Sequence, residues 1–178
     1  LDASDRKVLG SSMPTWYGGW NNTVSYKNFD LNVFFRFSGG NKIMNASRQS
    51  ALFNMDFSNN GTEILGRWVS PEQPGDGMTP KIGYGDASSL FNDGYTDSHF
   101  VESGNYLKLS TLALGYTLPK AVVSKLNMTK IRFYVQGQNL LTITGYSGLD
   151  PETNSRLGVD WNGMPQQRSF TFGANITF

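Results

Sequence analysis

Apolar and polar residues alternate with a period of two in five separate stretches of this chain. Between Trp16 and Tyr26, Trp20, Val24 and Tyr26 share one face, opposite Asn21, Thr23 and Ser25. After the short turn Lys27-Asn28, the run from Phe29 sets Leu31, Val33, Phe35 and Phe37 against Asn32, Arg36 and Ser38. Successive strand side chains point to opposite faces, so this pair predicts a hairpin with one apolar and one polar side. A third strand is predicted from Asn105 to Leu118, ended by Pro119. There Leu107 and Leu109 lie in one register, and Leu112, Leu114, Tyr116 and Leu118 in the other. A β-bulge near Ser110-Thr111 reconciles them, because one extra residue reverses the alternation. The fourth strand, Lys130 to Leu141, sets Ile131, Phe133 and Val135 against Arg132, Tyr134, Gln136 and Gln138. The last is the most regular: Phe170, Phe172, Ala174, Ile176 and Phe178 oppose Ser169, Thr171, Gly173, Asn175 and Thr177.

Between these stretches the pattern breaks down. Residues 1–13 are polar and turn-like. From Gly39 to about Glu102, with Pro71, Pro74 and Pro80, the sequence predicts a long loop carrying short helices over 46–57 and 62–69. Ala121–Met128 reads as a short helical connection, and 145–167 as a second long loop. The connections are thus short, long, short and long, as when five antiparallel strands cross one layer with short turns at one end. A water-soluble sandwich and a membrane barrel both accommodate half-apolar strands; long loops at one end and short turns at the other suit the barrel. Single-chain bacterial barrels have even strand numbers from eight upward, so five strands are expected to be the tail of a larger barrel.

Composition narrows the chemistry. The 178 residues contain no cysteine, which removes disulfides and thiolate metal sites. The net charge of +1 offers no electrostatic reason to expect nucleic acid or an anionic surface as a partner. Mean hydropathy is −0.37 and no run of about 18 apolar residues occurs, so no membrane-spanning helix is expected. The chain opens at Leu1 without a signal peptide, and for an exported protein the beginning is expected to lie elsewhere.

Several segments carry a resemblance. They are Gly115-Tyr-Thr-Leu-Pro119, Gln138-Asn-Leu-Leu-Thr-Ile-Thr144 and Gly145-Tyr-Ser-Gly-Leu-Asp-Pro-Glu152, with Asn105-Tyr-Leu-Lys-Leu109 and the closing Phe178. Val8-Leu9-Gly10, Met13-Pro14, Gly18-Gly19 and Tyr26-Lys27-Asn28-Phe29-Asp30 add to them. This ordered set resembles the carboxy-terminal portion of SusC/RagA-type TonB-dependent transporters of Bacteroidota. The resemblance implies an all-β fold in which residues 1–178 form the last strands, about five, of a 22-stranded outer-membrane barrel, with the plug domain and earlier strands absent. It also implies partners: a SusD-like surface lipoprotein, the amino-terminal remainder of the same transporter, the TonB complex acting through the plug, membrane lipid, and a glycan or peptide substrate. It implies neither a cofactor nor an enzymatic activity. The carboxy-terminus would lie in the periplasm.

Individual residues then take roles. Phe170, Phe172, Ile176 and Phe178 resemble the terminal signal by which outer-membrane barrels are recognised for assembly; an ordinary closing strand is the plain alternative. Trp16, Tyr17, Trp20, Tyr26, Phe29, Tyr106 and Tyr116 suit an interfacial girdle. The loop aromatics Trp68, Tyr84, Phe91, Tyr95 and Trp161 are candidates for contact with substrate or partner, against the plainer reading that they pack their own loops. Arg36, Lys108, Arg132, Gln136 and Gln138 are expected to face the lumen, because Arg or Lys exposed to lipid near the midplane costs about 2–4 kcal/mol. Asp150, Glu152 and Asp160 raise carboxylate-pair catalysis or calcium, yet Pro151 and the glycine-rich context favour a hydrogen-bonded turn. His99 is the sole histidine, which leaves no histidine cluster or triad to assemble. Gly83-Tyr84-Gly85 has no βαβ context and is expected to be a loop element. The rival to the barrel is a secreted β-sandwich binding carbohydrate through exposed aromatics, and it requires the five strands to bury their apolar faces on one another.

Overall fold

The computed structural model describes residues 4, 6–52, 59–81, 98–152 and 157–178. They fall into two compact units, one formed by 14–40, 105–145 and 166–178, the other from the remainder.

The first unit is an antiparallel sheet in the order β1-β2-β5-β6-β8, made of β1 (Trp16–Tyr26), β2 (Phe29–Gly39), β5 (Tyr106–Thr117), β6 (Lys130–Thr144) and β8 (Ser169–Thr177). All five strands expected from the alternation are present, and each neighbour in the sheet is the next of these strands along the chain. Leu31 pairs with Val24 and Leu114, Leu114 with Val135, and Val135 with Phe172, so the apolar set of every strand falls on one face. The register shift lies where the leucine pattern requires it: Phe35 pairs with Leu109 but Phe34 with Thr111, leaving Ser110 as the extra residue. On the other side Leu109 pairs with Leu141 and Thr111 with Gln138, so β6 adds a further residue at this bulge. Asn139 there adopts φ +52, the left-handed region that asparagine tolerates better than most residues. β6 runs three residues past its expected end, to Thr144.

The short-turn end is stitched by two backbone bonds and one from a side-chain amide. Thr117 N donates to Asn28 O (2.8 Å), Asn28 Nδ2 to Thr117 O (2.6 Å) and Thr129 N to Thr177 O (2.8 Å). Between β5 and β6 the chain makes a single helical turn, α1 (Lys120–Val123), followed by a 3-10 turn (Ser124–Leu126). Pro119, which cannot continue the ladder, starts this turn and accepts from Val122 N at 2.9 Å. Asn127 at φ +54 closes it.

The second unit contains structure that the sequence pattern did not announce. Where two long loops without strands are expected, β3 (Lys42–Asn45) pairs antiparallel with β4 (Val101–Ser103) and parallel with β7 (Val159–Asp160). These strands are two to four residues long, too short for a period of two to be read from sequence. The helix expected over 46–57 begins at Ala46 and continues as a π-helical turn at Arg48–Leu52; residues 53–57 lie outside the described residues. The helix expected over 62–69 is a 3-10 turn ending at Gly66, because Arg67 is already extended (φ −60, ψ 152). Phe100, fully buried, centres a small core with Met44 and Ile64 against it.

Candidate functional site

The sheet carries two chemically opposed surfaces. On the apolar face Trp20 stacks on Phe35 (centroids 5.7 Å, 12°), and Trp16 tilts against Phe37 at 6.2 Å, toward the long-loop end. At the short-turn end Tyr26, Phe29, Tyr116 and Phe133 occupy one cross-strand row, with Phe29 and Tyr116 rings 4.7 Å apart. This face is open: Phe172 is 78% exposed, Phe170 65% and Trp20 56%. Tyr17 and Tyr106, grouped with the girdle from sequence, share the opposite face at the long-loop end, since both pair with Ser38.

The polar face holds Arg36, Lys108, Arg132, Gln136 and Gln138 together. Arg36 and Lys108 are direct cross-strand partners, and Lys108 is almost wholly buried, with its ammonium 5.9 Å from the Tyr106 ring. Arg36 Nε donates to Ser110 Oγ (3.0 Å) and Nη2 to Gln166 Oε1 (3.3 Å), so the bulge residue anchors this guanidinium. Nearer the short turns Arg132 forms a two-point ion pair with Asp30, at 2.9 and 2.5 Å. β5 runs between them, and Gly115 makes the pairing feasible because a Cβ there would meet the guanidinium. Tyr134 pairs with Gly115 on one side and Gly173 on the other; a Cβ at Gly173 would meet the Tyr134 ring, and Arg132 stacks 5.3 Å from that ring. Glycines on both flanks let these two long side chains lie along the sheet.

In the second unit the Tyr146-Ser-Gly-Leu-Asp-Pro-Glu152 part of the glycine-rich motif does act through hydrogen bonds. Tyr146 Oη donates to Asp160 Oδ2 at 2.6 Å, both groups buried. Burial first, and then this carboxylate, push the Tyr146 phenol far above its ordinary value of 10.0. Gly163 N donates to Asp160 Oδ1 (3.2 Å), and Glu152 N to Asp150 Oδ1 (3.1 Å) as the turn geometry requires. Ser147 N donates to Glu102 Oε2 (2.7 Å), its hydroxyl to Glu102 Oε1 (2.6 Å), and Asn45 Nδ2 to both Glu102 Oε1 and Ser147 Oγ at 3.1 Å. Arg48 extends the network. It donates twice to Glu63 Oε2 (3.0 and 2.7 Å), once to His99 O, and approaches His99 Nε2 at 3.3 Å. The hydrogen-bonded Glu63 carboxylate raises the Arg48 guanidinium further above its already high value. Asn45, Arg48, Glu63 and Glu102 escaped the sequence reading, because residues 15 to 102 positions apart leave no local signal of a shared network. The carboxylates of Asp150 and Asp160 serve this anchoring, to which Glu152 contributes its backbone N–H, and among the described residues no three His, Cys, Asp or Glu side chains gather for a metal.

The loop aromatics are scattered. The backbone N–H of Trp68 donates to Thr79 O (2.9 Å), the Lys81 ammonium lies 5.8 Å from the Trp68 ring, and Trp161 is 71% exposed. Tyr84, Phe91 and Tyr95, and the Gly83–Gly85 element, lie outside the described residues. Terminal Phe170, Phe172, Ile176 and Phe178 all sit exposed along or just past β8.

No protein-family model matches the chain. Among curated proteins it is 32% identical over 188 residues to TonB-dependent receptor P3 of Formosa agariphila, covering 100% of this chain and 18% of that protein. It is 25% identical over 194 residues to TonB-dependent receptor SusC of Bacteroides thetaiotaomicron, covering 16% of it. Among solved structures, the RagAB peptide importer superposes in its 'closed-closed' state with a TM-score of 0.81 at 26% identity, over 97% of this chain and 18% of that one. In the 'open-open' state the TM-score is 0.80. The chain therefore spans less than a fifth of the length of these relatives.

Proposed function

For a chain that belongs to the SusC/RagA-type TonB-dependent receptors, we propose a place in the wall of an outer-membrane barrel that imports oligosaccharides or peptides together with a SusD-like surface lipoprotein. Residues 1–178 would be the carboxy-terminal part of that 22-stranded barrel. One observation supports this reading above the others: five antiparallel strands present a single continuous, open apolar face. The sandwich alternative needs that face covered by the same strands, whereas all five lie in one sheet. From Phe29 to Phe37, the aromatic ends of β2, the eight steps along the chain span about 27 Å of strand. That is the order of the apolar band, about 25 Å tall, on outer-membrane barrels. Arg36, Lys108, Arg132, Gln136 and Gln138 would then face the lumen, toward the amino-terminal remainder of the transporter or the substrate path. β8 would run from the extracellular to the periplasmic side, with Phe170, Phe172, Ile176 and Phe178 as the assembly signal. The second unit, with Trp68 and Trp161 exposed, would face the lipoprotein or the substrate.

The test is extraction and co-purification of the full-length protein. It is expected in the membrane fraction, released by detergent only, and bound to a SusD-like lipoprotein. Recovery as a soluble monomer would overturn the reading. Growth of a deletion strain on defined oligosaccharides or on peptides would then separate the two substrate classes.

A further inference from the structure

The net charge of +1 hides a separation of charge along the chain. Asp30 is the sole acidic residue in 14–40, 105–145 and 166–178, and it is held by Arg132. Four lysines of this unit gather at the short-turn end of the sheet: Lys27 in the β1–β2 turn, Lys120 and Lys125 in the β5–β6 connection, and Lys130 at the first position of β6. All four are exposed. Lys27 adopts φ +54, and its ammonium lies 5.3 Å from the ring of Tyr26, on the apolar face.

Directly beside these lysines is the row Tyr26, Phe29, Tyr116 and Phe133. Aromatic rings of this kind settle at the level where acyl chains give way to headgroups. The β5–β6 connection adds two exposed apolar side chains, Val122 between Lys120 and Lys125 and Leu126 between Lys125 and Lys130, while Val123 is buried. Apolar groups interleaved with lysines at the end of an apolar sheet face match a surface that is greasy on one side and carries phosphate on the other.

We propose that this short-turn end binds the anionic phosphate headgroups of the phospholipid leaflet on its side of the membrane, through Lys27, Lys120, Lys125 and Lys130. The proposal rests on the reading that the sheet spans a membrane. Basic clusters at a membrane face attract anionic lipid over about a Debye length, which sets their sensitivity to salt.

The test uses the full-length transporter purified in detergent. Its thermal unfolding midpoint is measured with added phosphatidylglycerol and with phosphatidylcholine, at low and high salt. The wild type is expected to gain several degrees more from the anionic lipid, a difference that shrinks at high salt. In the variant combining K27A, K120A, K125A and K130A most of that difference disappears. The corresponding arginine variant retains it, as does a K7A/K42A control in the other unit. A retained preference in the alanine variant, or equal stabilisation of the wild type by both lipids, overturns the proposal while leaving the membrane reading intact. Extraction of the wild type without detergent overturns both.

Discussion

Arg132 on β6 reaches over Gly115 on β5 to hold Asp30 on β2 through two parallel hydrogen bonds. Three strands are thereby tied by one side chain on the polar face. A double-mutant cycle on D30A and R132A is expected to give a coupling of about 1–3 kcal/mol, the scale of hydrogen bonds to charged groups. G115A is expected to destabilise by a similar amount and to add little to R132A, since both remove the same pairing. Urea unfolding of the full-length protein in detergent reads these values; full additivity of G115A with R132A would separate the glycine from the ion pair.

The two faces of β5 make opposite demands on charge. Leu112 is in register with Val33 and Gly137 on the apolar side, and Ala113 with Asn32 and Gln136 on the polar side. L112R is expected to destabilise the folded protein by about 2–4 kcal/mol in lipid vesicles. A113R, one residue away, is expected to cost much less. Equal losses would show that neither face meets lipid.

The terminal strand is expected to matter in cells beyond its folding energy. Deleting Phe178, or replacing Phe172 and Phe170 by Ala, should lower the amount of full-length barrel assembled in the outer membrane. Heat-modifiable electrophoretic mobility of membrane fractions measures it. Unchanged abundance would return these residues to the role of an ordinary edge strand.

Tyr146 and Asp160 set an alkaline limit on the second unit. The phenol of Tyr146 is neutral in the fold and its titration is raised, first by burial and then by Asp160. A raised value contributes stability that is complete below the unfolded value, near 10, and is lost as pH rises through the folded one. Phenolate absorbance is expected to show one tyrosine titrating only as this unit opens at strongly alkaline pH. Y146F removes that late titration and costs about 1–3 kcal/mol, because Asp160 loses a buried donor. Titration of every tyrosine near the ordinary value would contradict the geometry.

How much of this was legible in the sequence differed between the two units. The alternation of Leu31, Val33, Phe35 and Phe37 predicted β2, and the change of phase between Leu109 and Leu112 placed the bulge near Ser110-Thr111, where the strand pairing leaves Ser110 as the extra residue. The small sheet of β3, β4 and β7 left no such trace. Its strands are short, and β3 and β7 are brought together from positions more than a hundred residues apart. The same holds for the network of Asn45, Arg48, Glu63 and Glu102, whose members carry no spacing that marks them. The net charge of +1 was misleading in a different way: it suggested no anionic surface as a partner, although every acid except Asp30 falls outside the sheet unit while the bases are divided almost evenly between the two.

The sequence by itself determined the two-faced strands, their order and the family of motifs, because a period of two and an apolar face are local consequences of backbone geometry. Only the tertiary structure decided which strands are neighbours, that five apolar faces merge into one open surface, and that Arg132 finds Asp30 across a glycine. Those facts depend on register between strands, and register is fixed by pairing over long stretches of chain rather than by any residue's own preference.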